Sequence, residues 1–253
     1  MGSVTSILNI AAYRFVSLSE PAQWRERIRS QATVHALKGT VLLAEEGINL
    51  CLAGTEPDVR TWLAWLRAQA AFAGIEVKES RSAAVPFGKL LVKVKAEIIR
   101  MNHAAIQPQA QRAPAVDAKT LERWLAQGCD DAGRELALLD TRNAFEADAG
   151  RFRGALDWRI ERFSEFPDAL QAHRAELAGK TVVSYCTGGI RCEKAALYMA
   201  NAGVANVLQL EGGILKYFEQ TGGAHFDGAC FVFDARTALD VGLCPTASAA
   251  PTP

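Results

Sequence analysis

Apolar and polar residues alternate along the first hundred residues with the two periods that distinguish strands from helices. Val59, Trp62, Leu63 and Leu66 follow the spacing of an amphipathic helix. Together with the flanking segments, they give the order strand, helix, strand, strand, helix, strand, which predicts a small α+β domain of the ferredoxin-like type. The other predicted elements are strands over Ile7–Phe15, Thr40–Ala44, Ile48–Ala53 and Ile75–Lys78 and a helix over Pro21–Leu37.

Strands and helices alternate in the second half of the chain, which is typical of an α/β fold with a central parallel sheet. Leu136–Asp140 and Thr181–Tyr185 predict buried strands, and Asn206–Leu210 predicts a third. A helix is predicted over Arg191–Asn201, and another opens at Gly212-Gly213. Most of the chemistry-bearing residues considered below lie at the ends of these strands.

A stretch rich in Ala, Gln and Pro, Met101–Val116, indicates a linker between two domains. Residues 1–100 carry 13 basic and 9 acidic side chains, and the rest of the chain carries 15 and 19, so the N-terminal domain is the more positive one. The predicted boundaries are residues 1–100 for the ferredoxin-like (acylphosphatase-like) domain, 101–117 for the linker, 118–225 for the α/β domain, and 226–253 for a C-terminal strand segment with a disordered tail.

The composition restricts the class of protein without naming a function. Of 253 residues, 49% are hydrophobic and 22% are charged, which is ordinary globular usage and excludes a disordered or collagen-like chain. The formal net charge is zero, so contact with a polyanion must come from a local patch. No apolar run reaches the roughly 18 residues of a membrane span, and no secretory signal is visible, which predicts a cytoplasmic protein.

The six cysteines and four histidines are scattered, and no Cys-x-x-Cys pair is present, so the sequence predicts no metal site. It shows neither a dinucleotide fingerprint nor a facial triad of metal ligands, and no cofactor is therefore evident from it. The oligomeric state is not determined by these features.

One segment, VVSYCTGGIRCEKA at residues 182–195, carries a recognisable chemistry. A buried strand delivers Cys186 to its carboxyl end, where ligands bind in open α/β sheets. The loop Thr187-Gly188-Gly189-Ile190 then turns its amides toward a common centre, and Arg191 opens a helix. Amides, helix dipole and guanidinium all favour the thiolate, so we expect a lowered pKa and a nucleophilic Cys186. Cys192 is either a core residue or a thiol that resolves an oxidised Cys186.

The second domain resembles rhodanese domains, through Asp140-Thr141-Arg142 with Glu146, Gly154-Ala155, the Cys186 loop and Gly212-Gly213. The related dual-specificity phosphatases have a Cys-x5-Arg loop that suits phosphate, whereas this chain has the shorter Cys-x4-Arg loop of the sulfur-transferring type. The resemblance therefore implies a rhodanese-like fold and disfavours a phosphatase.

Three segments together resemble the rhodanese-domain tRNA uridine hydroxylases: LLAEEGIN at 42–49, YCTGGIRCEKA at 185–195 and CFVFDAR at 230–236. LVKVKAEII at 91–99 and LQLEGGILKY at 208–217 are also similar. The resemblance implies conversion of the wobble uridine of tRNA to 5-hydroxyuridine, with the anticodon loop as partner. Molecular oxygen would be the co-substrate, an unidentified reductant would supply electrons, and Cys186 would be the active-site residue, as thiolate or persulfide. The alternative is a rhodanese-type sulfurtransferase that passes persulfide sulfur from Cys186 to an acceptor.

Two groups of basic residues are candidates for contact with tRNA. Alternation in KLLVKVK places Lys89, Lys93 and Lys95 on one face of a strand, either as a phosphate-binding stripe or as a solvated, aggregation-resistant sheet face. Arg151 and Arg153 either flank the Cys186 pocket and position the anticodon loop or belong to a solvated loop.

The remaining motifs have structural interpretations. Arg142 and Glu146 are expected to form an ion pair that fixes the loop after the strand ending at Asp140, in preference to a substrate role. Glu45-Glu46-Gly47 reads as a hairpin turn in which Gly47 supplies a positive φ. The family resemblance further suggests that this turn touches the site or the neighbouring domain.

Overall fold

The computed structural model describes residues 6–246, and its first half is a five-stranded sheet with two helices on one face. The strand order β4-β1-β3-β2 is that of a ferredoxin-like domain, and β5 extends the sheet by pairing parallel to β2. The elements are β1 (Ile7–Phe15), α1 (Pro21–Val34), β2 (Lys38–Ala44), β3 (Gly47–Thr55), α2 (Glu56–Arg67), β4 (Val77–Ser82) and β5 (Leu90–Val94).

The two faces of this sheet have different roles because side chains alternate along a strand. Leu8 and Ile10 of β1 are buried in a core that includes Ile28 of α1 and Trp62 of α2. In the part of this domain that the structure describes, no helix covers the opposite face, which is turned toward the second domain.

The second domain is a parallel five-stranded sheet of order β6-β11-β10-β7-β9, with helices packed around it, as the alternation of elements predicts. Two short antiparallel pairs, β8 with β12 and β13 with β14, complete the domain. The elements are β6 (Ala115–Val116), α3 (Ala118–Gln127), β7 (Leu136–Asp140), α4 (Ala144–Ala149), β8 (Gly150–Phe152), β9 (Leu156–Asp157), α5 (Phe166–His173), β10 (Thr181–Tyr185), α6 (Ile190–Asn201), β11 (Val207–Leu210), α7 (Gly213–Thr221), β12 (Phe226–Gly228), β13 (Cys230–Phe231) and β14 (Ala238–Leu239).

Several predicted boundaries differ from the structure. The first helix ends at Val34 rather than Leu37, and Ala36 adopts a φ of 50°, which breaks the helical path. The fourth strand begins at Val77, two residues later than predicted. Sequence periodicity locates elements more securely than their ends, because capping and turn geometry decide the last residues.

The segment predicted as a linker packs closely along the second domain. Met101, Ile106 and Ala113 are buried in its core, and the segment ends in β6, which pairs with β11. The domain boundaries themselves stay predictions.

Within residues 226–253, the sequence after Asp240 is the part expected to be disordered, but the first residues of this tail form a turn. Asp240 accepts hydrogen bonds from the amides of Gly242 and Cys244. The amide of Thr246 donates to the carbonyl of Ala238 at 3.1 Å, which closes the turn. Residues 247–253, on which the rest of that prediction falls, lie outside the described residues.

Candidate active site

Cys186 directly follows β10 and lies at the carboxyl edge of the parallel sheet, beside the end of β7. The loop Thr187–Gly189 leads into α6, and Gly189 takes a φ of 98°, a conformation that favours glycine. Its amide donates a hydrogen bond to Cys186 Sγ at 3.2 Å. The loop therefore has the amide cradle around the sulfur that its glycines predict.

The surroundings of Cys186 favour its ionised form. Burial alone raises the pKa of this thiol. The hydrogen bond from the Cys192 thiol, the positive charge of Arg191 and the amides of Arg191 and Gly189 outweigh burial and lower the pKa of Cys186 to about 5. Burial and the neighbouring Cys186 together raise the pKa of Cys192, which keeps that thiol protonated as a donor. Cys186 is thus a thiolate at neutral pH.

The prediction of an ion pair between Arg142 and Glu146 is wrong. The Arg142 guanidinium instead donates to Asp140, with Nη2 at 2.5 Å from Oδ2, and to the carbonyl of Gly150 at 2.7 Å. The Glu146 carboxylate binds Arg191 through two contacts of 2.5 and 2.7 Å. The first turn of α4 points the Glu146 side chain at the Cys186 loop, and Arg142 folds back on the strand end that it follows. Each of the two guanidiniums has its own carboxylate.

The pairing with Glu146 limits what Arg191 offers to a substrate. Arg191 and Glu146 are both buried, and the carboxylate offsets much of the guanidinium charge. Thr187 Oγ1 also donates to Glu146 Oε1 at 3.5 Å, so the same carboxylate contacts both ends of the loop. The positive charge of Arg191 stabilises the Cys186 thiolate, and the ion pair with Glu146 fixes the position of the guanidinium.

The N-terminus of α7 fastens the other side of the loop. The amide of Ile214 donates to the carbonyl of Cys186 at 2.9 Å, and that of Leu215 donates to the carbonyl of Thr187 at 3.1 Å. A Cβ at Gly213 would lie 2.4 Å from the Cys186 carbonyl oxygen, so only glycine permits this approach. The predicted Gly212-Gly213 helix start thus supports the catalytic loop directly.

A cavity of about 350 Å³ lies over Cys186, between the two domains. The free face of the N-terminal sheet forms one wall through Tyr13 of β1, Cys51 of β3 and Lys78 of β4. Burial raises the pKa of Tyr13 and lowers that of Lys78, whose Nζ lies 4.9 Å from the centre of the Tyr13 ring. Both domains therefore build the site, and neither encloses it alone.

The sequence matches the model of the UPF0176 acylphosphatase-like domain over residues 7–98 and that of the rhodanese-like domain over residues 117–220. It is 67% identical over 244 residues to the tRNA uridine(34) hydroxylase of Bordetella pertussis, covering 96% of this chain and 100% of that protein. The chain belongs to the tRNA uridine(34) hydroxylase family. The fold and the family resemblance inferred from sequence are confirmed.

Other members of the tRNA uridine(34) hydroxylase family are similarly close. The protein of Variovorax paradoxus is 65% identical, with 92% of this chain and 89% of that protein covered. That of Burkholderia pseudomallei is 56% identical, with 95% and 82% covered. Among solved structures, the rhodanese-like domain of an Anabaena protein is 22% identical with a TM-score of 0.37, covering 46% of this chain and 79% of that one, values too low to add to the assignment.

Several residues of this hydroxylase-family site were not predicted from the sequence. Tyr13 and Lys78 belong to strands of the other domain, and Arg100, Arg162 and Phe233 also line the cavity. Two sequence signals existed: Phe233 lies in the CFVFDAR segment, and Arg100 directly follows LVKVKAEII. Tyr13 and Lys78 reach the cavity only through domain packing, and no sequence signal pointed to Arg162.

The predicted tRNA-binding lysines of this family member lie apart from the cavity. Lys89, Lys93 and Lys95 are exposed, on or beside β5 at the edge of the N-terminal sheet, and none of them lines the cavity.

Arg151 and Arg153 are exposed on and next to β8 and do not line the cavity over Cys186. Arg151 lies 3.4 Å from Asp157, and Arg153 lies 3.4 Å from Asp227. Their positions therefore do not support the interpretation that they flank the Cys186 pocket. If they bind tRNA, they do so on the outer surface of the second domain.

Within residues 6–246, no three His, Cys, Asp or Glu side chains come together as a possible metal site. No helix in the same part of the chain is long and apolar enough to cross a membrane.

Proposed function

We propose that this chain hydroxylates uridine 34, the wobble uridine of tRNA, at carbon C5, and that Cys186 is the reactive group. The relatives described above, named tRNA uridine(34) hydroxylases, match it over nearly its full length. The observation that carries the assignment within the site is the position of Cys186 at the floor of an interdomain cavity, where the Gly189 amide donates a hydrogen bond to its sulfur. The Cys192 thiol and the Arg191 charge lower the pKa of Cys186 against the effect of burial. A reactive thiol is activated by such a lowered pKa.

The thiolate has a clear role in hydroxylating uracil. Carbon C5 is a weak nucleophile until a nucleophile adds to C6. Addition of the Cys186 sulfur to C6 moves the electron pair of the C5–C6 bond onto C5 and O4, where loop amides stabilise negative charge. An electrophilic oxygen then bonds to C5. Loss of the C5 proton and of the thiolate restores the double bond and frees Cys186.

Molecular oxygen supplies the new oxygen atom in this proposal. A reductant of unspecified identity supplies two electrons, which with two protons convert the second oxygen atom to water. Triplet oxygen reacts slowly with closed-shell carbon nucleophiles, so the reductant also has to generate the electrophilic species. The alternative role for Cys186, as a persulfide, keeps the same residue and loop and differs in the covalent species formed.

The N-terminal domain favours the hydroxylase over the sulfurtransferase. A rhodanese-type sulfur transfer needs only the second domain, whereas here Tyr13 and Lys78 of the first domain close the cavity over Cys186. Side chains of both domains therefore surround the sulfur and a base bound beside it. The first domain is then part of the active site as well as a surface for tRNA.

Replacement of Cys186 by serine should abolish 5-hydroxyuridine formation. Cells without their own copy of this protein are supplied with wild type, Cys186→Ser or Cys244→Ser and grown under labelled oxygen gas. The measurement is nucleoside analysis of their tRNA. Cys244 is exposed and outside the cavity, so its variant is the matched control. Labelled 5-hydroxyuridine should form with wild type and with Cys244→Ser, but not with Cys186→Ser. Unchanged levels with Cys186→Ser would refute an essential thiol.

Mass spectrometry of the enzyme then separates the two roles of the sulfur. A trapped RNA adduct on the Cys186 peptide supports addition to C6. One extra sulfur atom on that peptide, with no adduct, supports the persulfide. Formation of thiocyanate from thiosulfate and added cyanide, or of sulfide from thiosulfate and an added thiol, at useful rates and without hydroxylation, would favour the sulfurtransferase.

Reversal of the three lysines should weaken tRNA binding if the stripe contacts phosphates. We expect the variant with Lys89, Lys93 and Lys95 changed to Glu to bind less tightly and with a shallower salt dependence, because fewer counterions are released. Reversal of Arg151 and Arg153 should have a smaller effect, since carboxylates already offset their charges. The measurement is tRNA affinity across a series of salt concentrations. If the affinity and its salt dependence both stay at wild-type values, the three lysines do not contact tRNA.

A further inference from the structure

Two aromatic side chains are exposed together, and one of them, Phe233, lines the cavity over Cys186. Of the five large apolar side chains exposed within residues 6–246, Phe145 at 45% and Phe233 at 62% are the aromatic ones. Their ring centres lie 6.2 Å apart, and the Phe231 ring lies 5.2 Å from each. Clustered exposed apolar surface on a folded protein marks a binding site. We refer to Phe145, Phe231 and Phe233 as the aromatic cluster.

The aromatic cluster adjoins the reactive sulfur. Phe233 lines the cavity that contains Cys186, and so does Asn143, two residues before Phe145. Phe145 lies on α4, the helix that also presents Glu146 to Arg191. The cluster is therefore fixed relative to the catalytic loop.

Cationic side chains border the same opening. Arg100, Arg162 and Lys78 line the cavity, and none of them forms an ion pair with a carboxylate in the part of the chain that the structure describes. Aromatic rings beside unpaired cations are the combination that binds single-stranded nucleic acid, with bases on the rings and phosphates at the cations. The surface thus fits RNA better than an apolar protein partner.

The size of the cavity decides where a neighbouring nucleotide has to go. A volume of about 350 Å³ is within the range of small-ligand pockets and accommodates one nucleoside. A uridine that enters the cavity leaves its stack, and the adjacent base loses a stacking partner. An open aromatic face at the rim can replace that partner at a small cost in ordering.

We propose that the aromatic cluster stacks on the nucleobase next to uridine 34 and so holds the anticodon loop open over Cys186. This inference rests on the proposed function, because it takes the target uridine as the occupant of the cavity. Phe233, as the more exposed ring, makes the principal contact, and Phe231 supports it from below. The residues act in positioning the RNA and take no part in the chemical step.

The test is a double-mutant cycle between the protein and an anticodon stem-loop RNA. Wild type and Phe233→Ala are each titrated with the intact RNA and with RNAs that are abasic on the 5′ or the 3′ side of uridine 34. We expect Phe233→Ala to weaken binding of the intact RNA roughly tenfold. For one of the two abasic RNAs, the affinity of wild type should fall by a similar factor. With Phe233→Ala, the same missing base should cause no further loss of affinity. Phe233→Trp, which keeps a stacking face, should retain wild-type affinity.

Kinetics and a matched control complete the design. Phe233→Ala should raise KM and leave kcat near the wild-type value, because the contact is present in ground and transition states alike. Val34→Ala removes a side chain that is 72% exposed and lies outside the cavity, so affinity and KM should not change.

Four outcomes would contradict the inference or the proposed function on which it rests. Unchanged affinity of Phe233→Ala, or additive losses with both abasic RNAs, overturns the stacking contact even if wild type forms 5-hydroxyuridine. A loss of self-association in Phe233→Ala, with RNA affinity intact, makes the cluster an interface between copies and also overturns it. The losses from Phe233→Ala and from one missing base could be non-additive while wild type forms no hydroxylated product. That result supports the stacking contact and refutes the proposed function.

Discussion

At the scale of single residues, the site depends on keeping a buried sulfur ionised. A buried charge without partners is strongly disfavoured. Cys186 obtains partners from its own segment: the Gly189 amide, the Cys192 thiol and the Arg191 charge. No histidine lines the cavity within the described residues, so dipoles and one guanidinium do the work that a histidine performs in many thiol enzymes.

The ionisation of Cys186 can be measured directly. Thiolate absorbance in the ultraviolet, taken as the difference between wild type and Cys186→Ser, should fall as the pH is lowered through about 5. Cys192→Ala should shift this titration upward, because the hydrogen bond from the Cys192 thiol is one of the causes that lower the pKa of Cys186. A titration midpoint near 9.0, the ordinary value for a thiol, would contradict the thiolate assignment.

The same shift affects stability. Between about pH 5 and 9.0, the unfolded chain carries a proton on this sulfur that the folded chain does not. The free energy of unfolding of wild type relative to Cys186→Ser should therefore rise with pH across this window. The contribution is complete above the unfolded pKa and is lost as the pH falls through the folded pKa.

At the scale of elements, the catalytic loop is held by the starts of two helices. Helix α6 begins within the loop, and α7 donates its first amides to the carbonyls of Cys186 and Thr187. Helix α4 adds the Glu146 carboxylate, which binds Arg191. Because free amides and carbonyls at helix ends need partners, the loop and α7 satisfy each other.

Gly213 offers a sharp test of this arrangement. Gly213→Ala places a Cβ 2.4 Å from the Cys186 carbonyl oxygen, so the loop must move and hydroxylation should fall at least about tenfold. Gly222→Ala is the matched control, because its φ of 66° equals that of Gly213 at 67° within a degree, but no atom lies within 4 Å of the added Cβ. Product formation per enzyme, with folding checked by thermal denaturation, gives the comparison. Equal losses in both variants would show that backbone strain alone is responsible.

At the scale of the whole molecule, one lysine joins the catalytic helix to the other domain. Lys194 of α6 is 1% exposed and lies 2.8 Å from Glu46 and 2.7 Å from Glu97. Its Nζ also donates to the carbonyl of Ile99 at 3.1 Å. Glu46 belongs to the turn predicted to touch the site or the neighbouring domain, and this contact confirms it.

Lys194→Met should therefore loosen the contact between the domains. Removing one member of a buried ion pair leaves its partners uncompensated, and we expect the free energy of unfolding in urea to fall by about 3 kcal/mol. Hydroxylation should fall as well, since Tyr13 and Lys78 no longer close the cavity reliably.

A second lysine serves as the control for this experiment. Lys180 pairs with Glu135 at 2.7 Å but is 30% exposed, and Glu135 is 68% exposed. Lys180→Met should change stability by less than about 1 kcal/mol. If Lys194→Met proved as mild as Lys180→Met, the interdomain ion pairs would not hold the domains together.

Much of the fold followed from sequence because its signals are local. The strand at Ile7–Phe15 and the strand at Thr181–Tyr185 were predicted at their observed bounds, from runs of apolar and β-branched residues. The nucleophile loop was identified for the same reason, since Cys186 to Arg191 is one continuous segment. The pairing of Arg142 was mispredicted because a spacing of four does not fix which carboxylate a guanidinium meets.

The sequence by itself determined the two folds and placed the candidate nucleophile, Cys186, in a strand-to-helix loop, because each of these depends on residues close together in the chain. Only the tertiary structure decided that Glu146 holds Arg191, that Lys194 joins the domains, and that Tyr13, Lys78 and Phe233 surround the sulfur. These partners lie far apart along the chain, 148 residues in the case of Lys194 and Glu46. Contacts at such separations are set by how sheets and helices pack, and the motifs around these residues do not show which of them will meet.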